Sequence, residues 1–144
     1  MSTLNSDQII LVFSVFFLVY ITFMLNKVES YDDPLLEKIR NDLIKVDPRV
    51  ATLRFRASNE SFTEDKKTIY LCLKDRKTNE YYDYNMLMYV CLHELAHAFS
   101  ESVDEDHTTK EFRDNFQMLL DKAEKLGLYN PNIPLNYNYC PRSE

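Results

Sequence analysis

The sequence predicts an α+β domain behind an N-terminal apolar helix, and three observations carry that prediction. Residues 9–25 are apolar throughout apart from Ser14 and Thr22. Two short segments, 50–56 and 68–73, have the composition of β-strands. The second half of the chain then reads as two helices, one apolar on every side and containing His93-Glu94-Leu95-Ala96-His97, the other amphipathic. With 144 residues in all, the part beyond residue 25 suffices for one compact core, so the expected organisation is a tail at 1–8, an anchor at 9–25 and a single domain at 26–144.

The anchor comes first. These seventeen residues at 1.5 Å rise span roughly 26 Å, which suits a thin, endoplasmic-reticulum-like or viral membrane. The run exceeds the usual core of a secretory signal, and no Lys or Arg precedes it, although Val28-Glu29-Ser30 resembles a cleavage site. An uncleaved transmembrane helix, making a single-pass membrane protein, is therefore expected. Lys27, Lys38 and Arg40 follow the span, which places the domain on the cytosolic side.

The domain opens with Asp32-Asp33-Pro34, a helix start with proline in the first turn, and Leu35, Leu36, Ile39, Leu43 and Val46 continue an apolar face until Asp47-Pro48 ends it. A strand at 50–56, a polar stretch at 58–67 and a nearly continuous apolar strand at 68–73 make a small sheet. After a loop at 75–83, Asp83 or Tyr84 begins the motif helix, which runs to about Ser100; its apolar flanks place it in the core. Thr108-Thr109-Lys110-Glu111 fits a capping box, with Thr108 capping and Glu111 reaching back. Phe112, Phe116, Leu119, Leu120, Ala123 and Leu126 then keep helical spacing and are assigned to the core. Gly127 supplies the left-handed stop, and Pro131 and Pro134 prevent resumption.

The formal charge of −6 comes without a basic stripe, so nucleic acid is not expected as a direct partner. Cys72, Cys91 and Cys140 are odd in number and lack paired spacing, which favours a reducing compartment, with Cys91 in the core. Asn59-Glu60-Ser61 matches a glycosylation acceptor, a tripeptide too frequent by chance to carry weight.

The motif is where the chemistry lies. Two imidazoles four apart share one helix face, so His93 and His97 can supply two corners of a tetrahedral zinc site at about 2 Å each. Glu94 projects roughly 100° round the helix, beside such an ion, where it can accept a proton from a water whose pKa zinc lowers to about 7. A buried helix carrying three ionisable groups by accident would leave each unpaired, at several kcal/mol apiece. His107, the remaining histidine, is the expected third ligand. The loop before it lacks glycine, unlike the metzincin pattern, and its acids leave Glu111, Asp106 or Glu105 as rival third ligands. A fourth protein ligand such as Asp106 or Cys140 would close the site and mark the alternative, a non-catalytic zinc-stabilised structural or interaction protein of a membrane or virion.

The order of helix, strands, His-Glu-x-x-His helix, third histidine and closing amphipathic helix, over roughly residues 32–140, resembles the WLM and SprT-like zincin peptidases, a minigluzincin-like fold. The likeness rests on His-Glu-Leu-Ala-His at 93–97, on His107 followed by Glu111-Phe112, and on Asn85-Met86-Leu87 entering the motif helix. The chain is also similar to small membrane-anchored forms encoded by large DNA viruses of eukaryotes, through Tyr-Asn-Pro-x-Ile-Pro at 129–134. The resemblance implies zinc on His93, His97 and His107 with Glu94 as base, hence a membrane-tethered zinc metallopeptidase acting on extended or unfolded protein. It also implies that the strand beside the motif helix, here 68–73, pairs with substrate backbone. A tyrosine of the tail, Tyr129, Tyr137 or Tyr139, could stabilise the oxyanion by folding back, although a packing role suits that tail better. Two departures are evident. The interval from His107 to Phe112 is one residue longer than the usual form, and no zinc ribbon or basic extension accompanies the domain, against a role on DNA–protein crosslinks.

Overall fold

The structure, a computed structural model, describes residues 5–29, 33–103 and 106–141, and the side chains of 23–29 are not among those described. Asp32, Ser30 and the rival ligand Glu105 lie outside these residues. The chain divides into two units, residues 1–33 and 34–144.

The described part of the first unit holds one helix, α1 (Ser6–Glu29). Its start is capped reciprocally, Asn5 Oδ1 accepting from the Gln8 amide and Gln8 Oε1 from the Asn5 amide. The expectation of a transmembrane anchor at 9–25 is corrected here: among the described residues no helix is long and apolar enough to cross a membrane. The apolar run is only 17 residues, about 26 Å against a hydrocarbon core of about 30 Å. Ser14 and Thr22 interrupt it, their hydroxyls turned back onto the carbonyls of Ile10 and Leu18. The single-pass localisation and the cytosolic sidedness read from flanking charges fall with the anchor. What α1 does present is exposed apolar surface, Phe13 and Phe16 included.

The second unit is the predicted α+β domain. Helix α2 (Pro34–Val46) buries Leu36, Ile39, Leu43 and Val46, the face its 3.6-residue spacing dictates. Residues 50–52, read from sequence as strand, instead belong to a 3-10 turn, Pro48–Thr52. Pro48 sets a helical φ at its first position, and the Asp47 carboxylate accepts from the Arg49 amide, so the backbone is turned before strand pairing can begin. Strand β1 (Arg54–Ala57) follows.

Strands β2 (Phe62–Glu64) and β3 (Thr68–Leu71) complete a sheet of order β1-β3-β2, with β3 parallel to β1 and antiparallel to β2. β2 lies within the polar stretch 58–67, where the sequence shows no strand pattern. It has three residues, and its hairpin turns on Asp65 and Lys66 at φ 50° and 55°, without the glycine that normally announces such a turn. Phe55, Thr63 and Ile69 share one register row and hence one face. On the other face Phe62 stacks on Tyr70, ring centroids 4.4 Å apart.

Helix α3 (Tyr84–Phe99) carries the motif through the middle of this unit. Asp83 caps it, its side chain accepting from the amides of Asn85 and Met86. Leu87, Met88, Cys91, Leu92, Leu95 and Ala96 are fully buried, each large side chain contributing about 1.5–3 kcal/mol by leaving water. Helix α4 (Lys110–Lys125) packs on it through Phe112, Leu119 and Ala123 and ends at Gly127, whose φ of +70° is the predicted left-handed stop. The capping box is not formed. Thr109, not Thr108, caps α4 by accepting from the Phe112 amide, and Glu111 is engaged elsewhere.

The cysteines also depart from the expectation of a wholly reduced chain. Cys72 and Cys140 form a disulfide, which ties the segment after α4 to the end of β3, while Cys91 is free and buried. A separation of 68 residues left no local spacing by which to foresee the pair.

Candidate metal centre

Three imidazoles converge where α3 approaches its C-terminus. One turn of helix separates His93 from His97, and the chain leaving α3 returns His107 to face both. The Nε2 atom of His107 lies 3.1 Å from that of His93 and 2.9 Å from that of His97. Three nitrogens held tetrahedrally about one zinc at 2.0–2.1 Å would sit about 3.4 Å apart, so a small relaxation of the rings matches the observed cluster to that ion. Neutral imidazole nitrogens as the donor set also suit zinc. Among the described residues, these three alone form a cluster of metal-ligating type, with their donor atoms all within 4.8 Å of one another.

Phe112 explains why the rings stand as they do. Its own ring is buried and packs against all three imidazoles, with centroids 5.2 Å from His93, 4.5 Å from His97 and 5.0 Å from His107; Phe116 adds a contact of 5.3 Å to His93. Helical spacing assigns both aromatics to the core but does not show that they pack on the imidazoles. The signal was the interval from His107 to Phe112, which lets the first turn of α4 face the loop that precedes it. Burial, together with the neighbouring His107 and His97, pushes the His93 imidazole down to about 4, so it is neutral near pH 7 and its lone pair is available.

Glu94 is buried beside the cluster, in the same cleft, and burial raises its carboxyl above the ordinary value. Its one resolved side-chain partner is Thr63 of β2, whose hydroxyl lies 2.7 Å from the carboxylate and 2.9 Å from the Glu94 carbonyl. The cleft has a volume of about 750 Å³ and is walled on one side by the β2–β3 hairpin and on the other by α3 and the loop beyond it.

That geometry moves the expected peptide-binding strand. β3 lies between β1 and β2 and has both edges paired, whereas β2 is an edge strand and contributes Phe62 and Thr63 to the cleft. The tail tyrosines do not line this cleft. Tyr139 donates to the Cys72 carbonyl at 2.6 Å and contacts the Ser61 hydroxyl at 2.7 Å, Tyr129 packs near Tyr89, and Tyr137 is wholly exposed. Tyr129 and Tyr139 are packing residues. Of the rival ligands, the Glu111 carboxylate is taken by backbone amides of residues 101 and 102, Asp106 is outside the cluster, and Cys140 is held in its disulfide.

Comparison with known proteins yields relatives among viruses. The chain is 45% identical over 94 residues to the uncharacterized protein 136R of Invertebrate iridescent virus 6, covering 64% of this chain and 51% of that protein. It is 44% identical over 92 residues to the uncharacterized protein 042R of Invertebrate iridescent virus 3, covering 61% and 54% respectively. With the uncharacterized protein R325 of Acanthamoeba polyphaga mimivirus it shares 37% identity over 114 residues, 76% of this chain and 53% of that protein. The chain thus spans about half the length of the curated relatives it matches. No family model and no solved structure matches it.

Proposed function

We propose that this domain is a zinc-dependent metallopeptidase in which His93, His97 and His107 hold the ion and Glu94 acts as general base. The observation that carries the reading is the convergence of three Nε2 atoms beside a buried glutamate, in a cleft with an unpaired strand edge. Zinc bound there would polarise a carbonyl and acidify water. The protein's residues do the rest. Glu94 takes a proton from the attacking water and passes it to the leaving nitrogen as the C–N bond breaks. Thr63 holds the carboxylate in place, and Phe112 closes the back of the cluster to solvent. The free edge of β2 offers backbone donors and acceptors to an extended peptide, which makes unfolded or loosely folded protein the expected substrate.

A purely structural zinc protein would need a fourth protein ligand to close the coordination sphere. Among the described residues no Cys, Asp, Glu or further His joins the three. The test is Glu94→Gln beside wild type, with zinc content and cleavage of a panel of unfolded proteins and peptides measured on both. The expected result is one zinc in each and hydrolysis in wild type alone. Wild-type protein carrying stoichiometric zinc that cuts nothing in the panel would remove the peptidase reading, and protein that takes up no zinc would remove the metal centre.

A further inference from the structure

The loop that brings His107 back to α3 is held by two charges of opposite sign, neither of which is part of the motif. From the tip of the β2–β3 hairpin, Lys66 donates through Nζ to the carbonyl oxygens of Ser100, Glu101 (2.7 Å) and Ser102 (3.1 Å). An ammonium has three protons, and here each has a carbonyl. From the first turn of α4, Glu111 accepts from the Glu101 amide at 2.6 Å, the Ser102 amide at 3.3 Å and the Ser102 hydroxyl at 2.8 Å. The carbonyls of residues 100–102 therefore face a cation, and the amides of 101 and 102 face an anion.

A cation at the C-terminal end of a helix is favourable in itself, and that alone would explain Lys66 as a cap. Three features go further. Lys66 sits at φ 55°, a backbone conformation that costs a non-glycine residue free energy and here aims its stem across the cleft. Lys66, Ser102, Val103 and His107 line the same cleft as His93, Glu94 and His97. His107 is itself at φ 57°, so the turn that presents its ring is held against local preference by what surrounds it.

We propose that Lys66 and Glu111 are positioning residues for the third metal ligand, clamping residues 100–102 so that the chain leaves α3 in the direction that returns His107 to His93 and His97. The inference rests on the zinc reading above and deepens it. The clamp joins the peptide-binding edge to the ligand loop, since Lys66 belongs to the hairpin that β2 enters.

The experiment compares zinc affinity, by competition with a chromophoric chelator, for wild type, Lys66→Met, Lys66→Arg, Glu111→Gln and His107→Ala, together with the Lys66→Met, His107→Ala double variant. The thermal unfolding of each metal-free protein is recorded alongside. Lys66→Met and Glu111→Gln are expected to weaken zinc by about 10–100-fold, the usual cost of losing a group that orients a ligand. Lys66→Arg restores most of the loss, and Lys66→Met has no further effect once His107 is gone. A general structural role would lower affinity equally in both backgrounds, and that result overturns the clamp, as does zinc affinity of Lys66→Met within twofold of wild type. If wild type takes up no zinc, the metal centre itself is refuted and the clamp with it.

Discussion

The Thr63 hydroxyl carries one proton and faces two acceptors of Glu94, the carboxylate at 2.7 Å and the backbone carbonyl at 2.9 Å. Through this contact the sheet's edge strand is fastened to the motif helix at the residue proposed to move protons. A buried carboxylate without a donor is costly, so the threonine both stabilises Glu94 and fixes its direction.

Thr63→Val keeps the shape and removes the donor. The turnover rate on an unfolded substrate is expected to fall by about 10–100-fold, as for other orienting partners of a metal site, with zinc affinity unchanged. Thr63→Ser should recover most of it. Steady-state kinetics with zinc quantified in the same samples decides the matter, and a valine variant with wild-type turnover would show that the bond has no part in the reaction.

His107→Ala removes a ligand rather than a support, so zinc affinity should fall well beyond the ~100-fold limit of supporting groups. Asp106→Asn should leave it unchanged, because Asp106 lies outside the cluster. Isothermal titration of both variants would reassign the third ligand if the order were reversed.

The contact between α2 and the start of α3 gives a pH dependence. Burial opposes ionisation of Asp42, but hydrogen bonds from Lys45, Tyr84 and Lys38 outweigh it and hold the carboxyl well below the usual range. A depressed carboxylate stabilises the fold in full above its unfolded value of 3.8, and this is lost as pH falls through 3.8 towards the folded value. Asp42→Asn should therefore cost about 2 kcal/mol at pH 7, and the difference from wild type should shrink below pH 4. Urea denaturation of metal-free protein from pH 7 to pH 2.5 measures it, and parallel profiles would rule Asp42 out.

The disulfide predicts one titratable thiol in unreduced, denatured protein and three after reduction. Closing a loop of 68 residues restricts the unfolded chain, so Cys72→Ser should cost about 4 kcal/mol in the chain-entropy account. Equal denaturation midpoints with and without a dithiol reductant would contradict that.

The helices of the domain and two of the three histidines of the candidate centre were legible in the sequence. Helical periodicity and capping are local, so α2, α3, α4 and the Gly127 stop could be read within a few residues of where they lie. His93, Glu94 and His97 form a pattern whose geometry is fixed by one turn of helix, and no fold is needed to bring them together. Apolar content alone misled at α1, where residues 9–25 read as a membrane span that the described helix does not provide.

Features that depend on contacts distant in sequence came from the packing of the chain. β2 is too short and polar to show a pattern, yet as the sheet's edge it supplies the free strand that β3 cannot. His107 could be named but not placed, since its position depends on Lys66 and Glu111 gripping a loop from opposite sides. Phe112 looked like any core aromatic until packing put it behind all three imidazoles, and Cys72 and Cys140 met across 68 residues. Pattern fixes what neighbours along one element can do together; where separate elements meet is set by the burial of α3 between the sheet and its companion helices.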